Sequence, residues 1–118
     1  MPAEFGRFWK YDADKADLER LDDRNGEQDR PVVLSTADGA YAMGVYSPDQ
    51  PSPGYERVGY GRFRFKEEKV NKWNCVFRVR DPKGIAAGDY RFRAFVAVGT
   101  LEDVKTTLTA LSREFRHP

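Results

Sequence analysis

The chain has 118 residues, of which 40% are hydrophobic, 33% charged and 14% aromatic, a composition that excludes intrinsic disorder and fits a folded globular chain. Residues 1–118 are expected to form a single β-rich domain around one hydrophobic core, because a second domain has no room at this length. The formal net charge of +1 excludes a uniformly charged surface, yet residues 1–30 carry nine acids against six bases and residues 31–118 carry ten acids against fourteen.

The single cysteine, Cys75, rules out an internal disulfide framework, so disulfide usage gives no reading of the compartment. No apolar run approaches the roughly 18 residues of a spanning helix, and no charged-then-apolar leader is present. The expectation is a chain with neither a membrane span nor a signal peptide.

In chain order, "FGRFWKYD" and "DLERL" predict an N-terminal hairpin over residues 5–21 that turns at Asp12–Lys15. The stretch "DDRNGEQDRP" reads as a loop, with Asn25-Gly26 as its turn dipeptide. Core strands are expected over residues 31–99. The first two, "VVLS" and "YAMGVYS", are joined at Ala37-Asp38-Gly39, a strong hairpin signal. "PDQPSPGYER" holds three prolines, which lack the N–H donor a sheet needs, and is expected to be an exposed loop.

Three strands are then predicted: "YGRFRF", "KWNCVFRVR" and "YRFRAFVAVG". Side chains alternate between faces, so Trp73, Cys75, Phe77 and Val79 are expected on one side and Lys72, Asn74, Val76, Arg78 and Arg80 on the other. The same alternation sets Phe63 and Phe65 against Arg62 and Arg64, and Tyr90 and Phe92 against Arg91 and Arg93. Beyond Arg93 both faces are apolar, and a covering element is required. The closing stretch supplies one: Leu101, Val104, Leu108, Leu111 and Phe115 form one stripe of a helix predicted over 101–116. Thr100 and Asp103 have the spacing of a capping pair. The fold class is therefore mainly β, an antiparallel β-sandwich or curved sheet with one C-terminal amphipathic helix.

Catalytic chemistry is not signalled. The one histidine, His117, is next to the carboxyl end, where a triad imidazole is not held in place. Zinc and P-loop spacings are absent, and "GYGRF" lacks the third glycine of a dinucleotide fingerprint, so no cofactor is expected. Asp22–Glu27 has the oxygen content of a calcium turn but places Leu21 and Val32 where the first and last ligands belong, and is read as a solvated acidic turn. Hydrolysis by a carboxylate pair would need acids from loops, since residues 60–99 carry none within the predicted strands.

What the pattern does raise is an arginine row. Arg62, Arg64, Arg78, Arg80, Arg91 and Arg93, with Tyr60 on the same parity, make a basic patch if the three strands are neighbours. Guanidinium forks suit carboxylate, sulfate and phosphate, so an anionic glycan or a nucleic acid is one expected ligand class. The competing reading is a wet sheet face whose charges meet the acids of the N-terminal third. Cys75 and Trp73 read as core, while Trp9, with Phe5 and Tyr11, reads as core, sugar platform or interface.

"DGAYAMGVYSPD", "VNKWNCVFRV" and "FVAVGTLEDVKTTL" together resemble the β-sandwich domains attached to bacterial carbohydrate-processing proteins, including galactose-mutarotase-like supersandwich domains. The resemblance spans about the last two-thirds of the chain and carries no catalytic residue across. It implies a noncatalytic module of a larger glycan-related protein that binds carbohydrate or packs on a neighbouring domain. A polyanion binder and an enzyme with loop carboxylates are the alternatives, and an exposed sheet edge is expected to allow a homodimer.

Overall fold

A strand that is buried at every position has cover on both faces. Val32, Val33, Leu34 and Ser35 form such a strand, and all four are fully buried. The structure, a computed structural model, describes residues 1–115. Its elements are β1 (Arg7–Asp12), β2 (Asp17–Arg20), β3 (Gly26–Gln28), β4 (Val32–Ser35), β5 (Ala42–Tyr46), β6 (Tyr60–Phe65), β7 (Val70–Cys75), β8 (Phe95–Gly99) and α1 (Leu101–Glu114). They form a five-stranded sheet in the order β2-β1-β4-β5-β8 and a three-stranded sheet in the order β3-β6-β7. Every pairing between strands is antiparallel. The chain is mainly β with one C-terminal helix.

The central strand divides two clusters. Val33 joins Tyr11, Ala42 and Ala97 beneath Val104 and Leu108 of α1. Val32 and Leu34, one residue away on either side, point the opposite way and join Phe8, Val45 and Tyr60, with Trp73 and Cys75 packed alongside. Residues of both sheets thus share the second cluster. The predicted stripe on α1 is the face that docks: Val104 and Leu108 are fully buried, and Leu101 and Leu111 pack against them. Gly44 is required under the helix, because a Cβ there would stand 2.8 Å from Val33 Cγ2 and 3.2 Å from Val104 Cγ1. The capping pair forms in both directions, Asp103 N–H donating to Thr100 Oγ1 at 3.0 Å and Thr100 N–H to Asp103 Oδ2 at 3.1 Å.

The N-terminal hairpin is β1 and β2, turning at residues 13–16. The Asp-Gly hairpin joins β4 to β5, with Asp38 Oδ1 accepting from Thr36 Oγ1 and from Ala40 N–H. The helix ends at Glu114, earlier than the expected 116, and Arg116, His117 and Pro118 lie outside the described residues.

Three expectations are corrected. The segment read as a loop over 22–31 contains β3, a short edge strand on β6. The three arginine-bearing strands are not neighbours: β6 pairs with β7, but β8 belongs to the other sheet and pairs with β5. And β7 stops at Cys75, so no strand covers residues 76–94. The physical reason lies in the partner of residues 76–80, the proline loop, whose Pro51 and Pro53 have no N–H to give a ladder. Side chains take the place of the ladder: Gln50 Nε2 donates to Val76 O at 2.9 Å, and Ser52 Oγ both accepts from Arg78 N–H and donates to Arg78 O.

Candidate functional site

The arginine row does not exist as a surface. On β6 the register pairs Tyr60 with Cys75, Arg62 with Trp73 and Arg64 with Asn71. Cross-strand partners share a face, and Trp73 and Cys75 face the core. Tyr60, Arg62 and Arg64 therefore point inward, and Phe63 and Phe65 outward, the reverse of the expected parity. Tyr60 is 2% exposed and its hydroxyl is closed off by Ser47, accepting from the backbone N–H at 2.8 Å and donating to the carbonyl at 3.2 Å. Burial pushes its phenol well above the usual tyrosine range.

Arg62 is 8% exposed, and its Nη2 reaches Asp22 Oδ1 at 2.9 Å while Nη1 reaches Gln28 Oε1 at 3.4 Å. Asp22 is also clasped by Arg24 through Nε at 3.0 Å and Nη2 at 2.8 Å. The hydrogen bonds from Arg24, side chain first and then backbone N–H, with a further one from Arg62, hold the Asp22 carboxyl far below the usual range against the opposing effect of burial. The turn read as a solvated acidic one is thus engaged at Asp22 by two guanidinium groups. Among the described residues no group of three His, Cys, Asp or Glu could hold a metal ion.

Arg78 and Arg80 lie beyond the sheet, with their guanidinium carbons 4.9 and 5.1 Å from the Tyr55 ring centre. Arg78 Nη1 donates to Tyr55 Oη at 2.7 Å and Nη2 stands 3.8 Å from Glu27. Gly54 permits this close passage of chains, since at φ +76° a Cβ would fall 1.9 Å from Arg80 O. Arg93 grips Asp49 with Nε at 3.1 Å and Nη2 at 2.9 Å, and lies 5.1 Å from the Phe115 ring centre. Arg91 is exposed and stands apart from these clusters. Trp9 is not a free platform, as its Nε1 donates to Ser35 Oγ at 2.9 Å and Arg20 covers the ring at 5.6 Å. Cys75 packs as expected against the core, its thiol pushed up by burial.

Of the expected residues, Arg64 alone borders a cleft that combines clustered cations with an apolar wall. Asn71 straps the N-terminal segment down, its N–H donating to Met1 O and its Nδ2 to Ala3 O and Phe5 O. Between this segment and the turn from β6 to β7 lies a cleft of about 460 Å³ lined by Glu4, Arg7, Asp23, Arg64, Phe65, Lys66, Lys69 and Val70 among others. Arg64 Nη2 is spoken for by Gly6 O at 2.6 Å and Asp23 Oδ1 at 3.4 Å, and the guanidinium carbon lies 5.0 Å from the Phe8 ring centre. Arg7, Lys66 and Lys69 have exposed side chains and form no ion pair among the described residues. Four cations therefore face two acids, Glu4 and Asp23, beside the partly exposed Phe65 ring.

Sequence reasoning missed Arg7, Lys66 and Lys69. Arg7 and Lys69 are brought together only by the folding of the N-terminal segment onto β7, through the bridge of Pro2 to Val70. The one signal available was the charged "KEEK" turn, which reads equally well as solvated surface. Comparison with known proteins finds no family model, no curated protein and no solved structure that matches this chain.

Proposed function

We propose that the chain is a noncatalytic β-sandwich module that binds an acidic carbohydrate, a uronate or a sulfated sugar, in the cleft between its N-terminal segment and the β6–β7 turn. The observation that carries this reading is the excess of four cations, Arg7, Arg64, Lys66 and Lys69, over two acids, Glu4 and Asp23, around a concavity of about 460 Å³ with an aromatic wall. That volume is in the range of small-molecule sites. Ammonium and guanidinium groups meet carboxylate or sulfate, while Phe65, 37% exposed with Lys72 Nζ 5.4 Å from its ring centre, supplies an apolar wall for the C–H side of a sugar ring.

An extended polyanion such as nucleic acid has less support, because Arg62, Arg64, Arg78 and Arg93 each stand beside a carboxylate of this chain, Asp22 being shared with Arg24 and Glu27 with Arg57. The glycan-related setting remains the expectation raised by the sequence resemblance.

The test is calorimetric titration with neutral oligosaccharides, oligogalacturonate, a sulfated oligosaccharide and a single-stranded oligonucleotide, at low and high salt. Binding of the two acidic sugars is expected, weakened at least about tenfold by Arg7→Ala combined with Lys69→Gly. The Arg78→Ala, Arg91→Ala double variant is expected to bind normally. Equal binding of neutral sugars, preference for the oligonucleotide, loss of binding in the Arg78/Arg91 variant, or no binding would each reject the reading.

A further inference from the structure

The two edges of the five-stranded sheet are built differently. Edge β2 reads Asp17-Leu18-Glu19-Arg20, with charges that discourage a further strand. Edge β8 reads Phe95-Val96-Ala97-Val98-Gly99, with no charge and no proline. Ala97 of β8 faces α1 and is buried. Val96 and Val98 face the other way, in register with Val45 and Met43. Val45 is covered by the small sheet, but that sheet does not reach β8: Val96 is 53% exposed, Val98 68%, and Tyr41, which continues the alternation of β5 outward from Met43, is 68% exposed. The sequence asked for cover on both faces of this strand, and the helix supplies only one.

An unpaired strand edge with an apolar margin fits another strand, and the charges flanking β8 say which one. The residues leading into β8 carry Arg91 and Arg93, the latter held by Asp49, and the first turn of α1 just after it carries Glu102, which Lys105 reaches at 3.1 Å, and Asp103, which caps the helix. A second β8 laid antiparallel across a two-fold axis brings the basic flank of each copy beside the acidic flank of the other. A parallel arrangement would set like charge against like.

We infer that the chain forms a homodimer through antiparallel pairing of β8 with β8 of a second copy, making one continuous ten-stranded sheet from two five-stranded ones. The register that pairs all five residues centres on Ala97 and places Val96 opposite Val98 of the other copy. The apolar margins of the two copies, Tyr41, Val96 and Val98, then merge on one face. Arg91 lies toward the opposing Glu102, whose side chain is 75% exposed. Contact through one short strand and a narrow strip is at the small end of specific interfaces, so a dissociation constant of about 1–100 µM is expected. Tyr41, Val96 and Val98 do not line the cleft, and failure of either proposal leaves the other standing.

Sedimentation velocity from about 1 µM to about 1 mM tests the pairing across the expected range. The expected result is a monomer–dimer equilibrium with no larger species, together with slower amide exchange at Val96–Gly99 as concentration rises. Val98→Lys, at an exposed position that leaves the core intact, is expected to weaken the dimer at least about tenfold. Arg91→Glu is expected to weaken it as well, and Arg91→Glu with Glu102→Arg to restore it. A monomer throughout, open-ended association, or a dimer indifferent to Val98→Lys and to the charge exchange would overturn the inference.

Discussion

Arg62 has its counter-ion 40 positions away in sequence, at Asp22, and that separation explains why its direction could not be read locally. In "YGRFRF" arginines and aromatics alternate strictly, so either set can face inward. The choice falls to whichever set finds partners, and an inward guanidinium is tolerated only when hydrogen-bonded. Asp22 and Gln28 take the terminal nitrogens of Arg62, and Asp23 with Gly6 O takes one of Arg64, while the Nε–H of each stays buried without a partner among the described residues. In "VNKWNC" Trp73 and Cys75 stand against Lys72 and Asn74 and their inward direction was legible, while nothing local marked Asn71 as sharing it.

The same carboxylates set the response to pH. Asp22 is lowered chiefly by Arg24, and Asp49 chiefly by Arg93. In Asp12 burial pulls upward, but the hydrogen bond from Arg30 and those from the backbone of Asp14 and Lys15 outweigh it, and the net direction is down. A depressed folded-state pKa gives stability that is complete above the unfolded value of about 4 and is lost as pH falls through the lower folded values. The melting temperature is therefore expected to be flat near neutrality and to fall below about pH 4. Asp22→Asn should lower it at neutral pH, because Arg62 loses its charge partner, and should make the acid limb shallower. Thermal unfolding followed by circular dichroism over that range checks both, and an acid limb of unchanged slope in the variant would refute the assignment.

Among the elements, the hairpin between β4 and β5 and the capped helix were legible because each has a local cause: an Asp-Gly turn, and a Thr-x-x-Asp box before an apolar stripe. The end of β7 was not, since it depends on proline in a neighbour some 26 residues earlier. Two other hairpins share one feature. The turns at residues 13–16 and 66–69 both end in a left-handed residue, Ala16 at φ 49° and Lys69 at φ 54°. Glycine accepts that conformation without the Cβ penalty, so Ala16→Gly is expected to stabilise the chain by about 1 kcal/mol, measured by urea denaturation. A loss of stability would show that the strain is not there. Lys69→Gly should behave likewise, which separates loss of its charge from loss of folding in the binding test.

For the molecule as a whole, the uneven charge seen in the sequence is largely consumed internally: Asp22, Asp23 and Glu27 from the acidic first third pair with Arg62, Arg64 and Arg78. The attraction between the two parts of the chain was legible, but its consequence was the opposite of a basic face. Among the cations without an ion pair in the described residues, Arg7, Lys66 and Lys69 gather where the N-terminal segment meets the β6–β7 turn, a juxtaposition that arises only on folding.

The most direct measurement is amide chemical-shift mapping of the full chain titrated with oligogalacturonate. Perturbations confined to Gly6, Arg7 and the run from Arg64 to Asn71 are the expected result. Perturbations centred on Arg78, Arg80, Arg91 and Arg93, or none at saturating sugar, would contradict the cleft as the binding site.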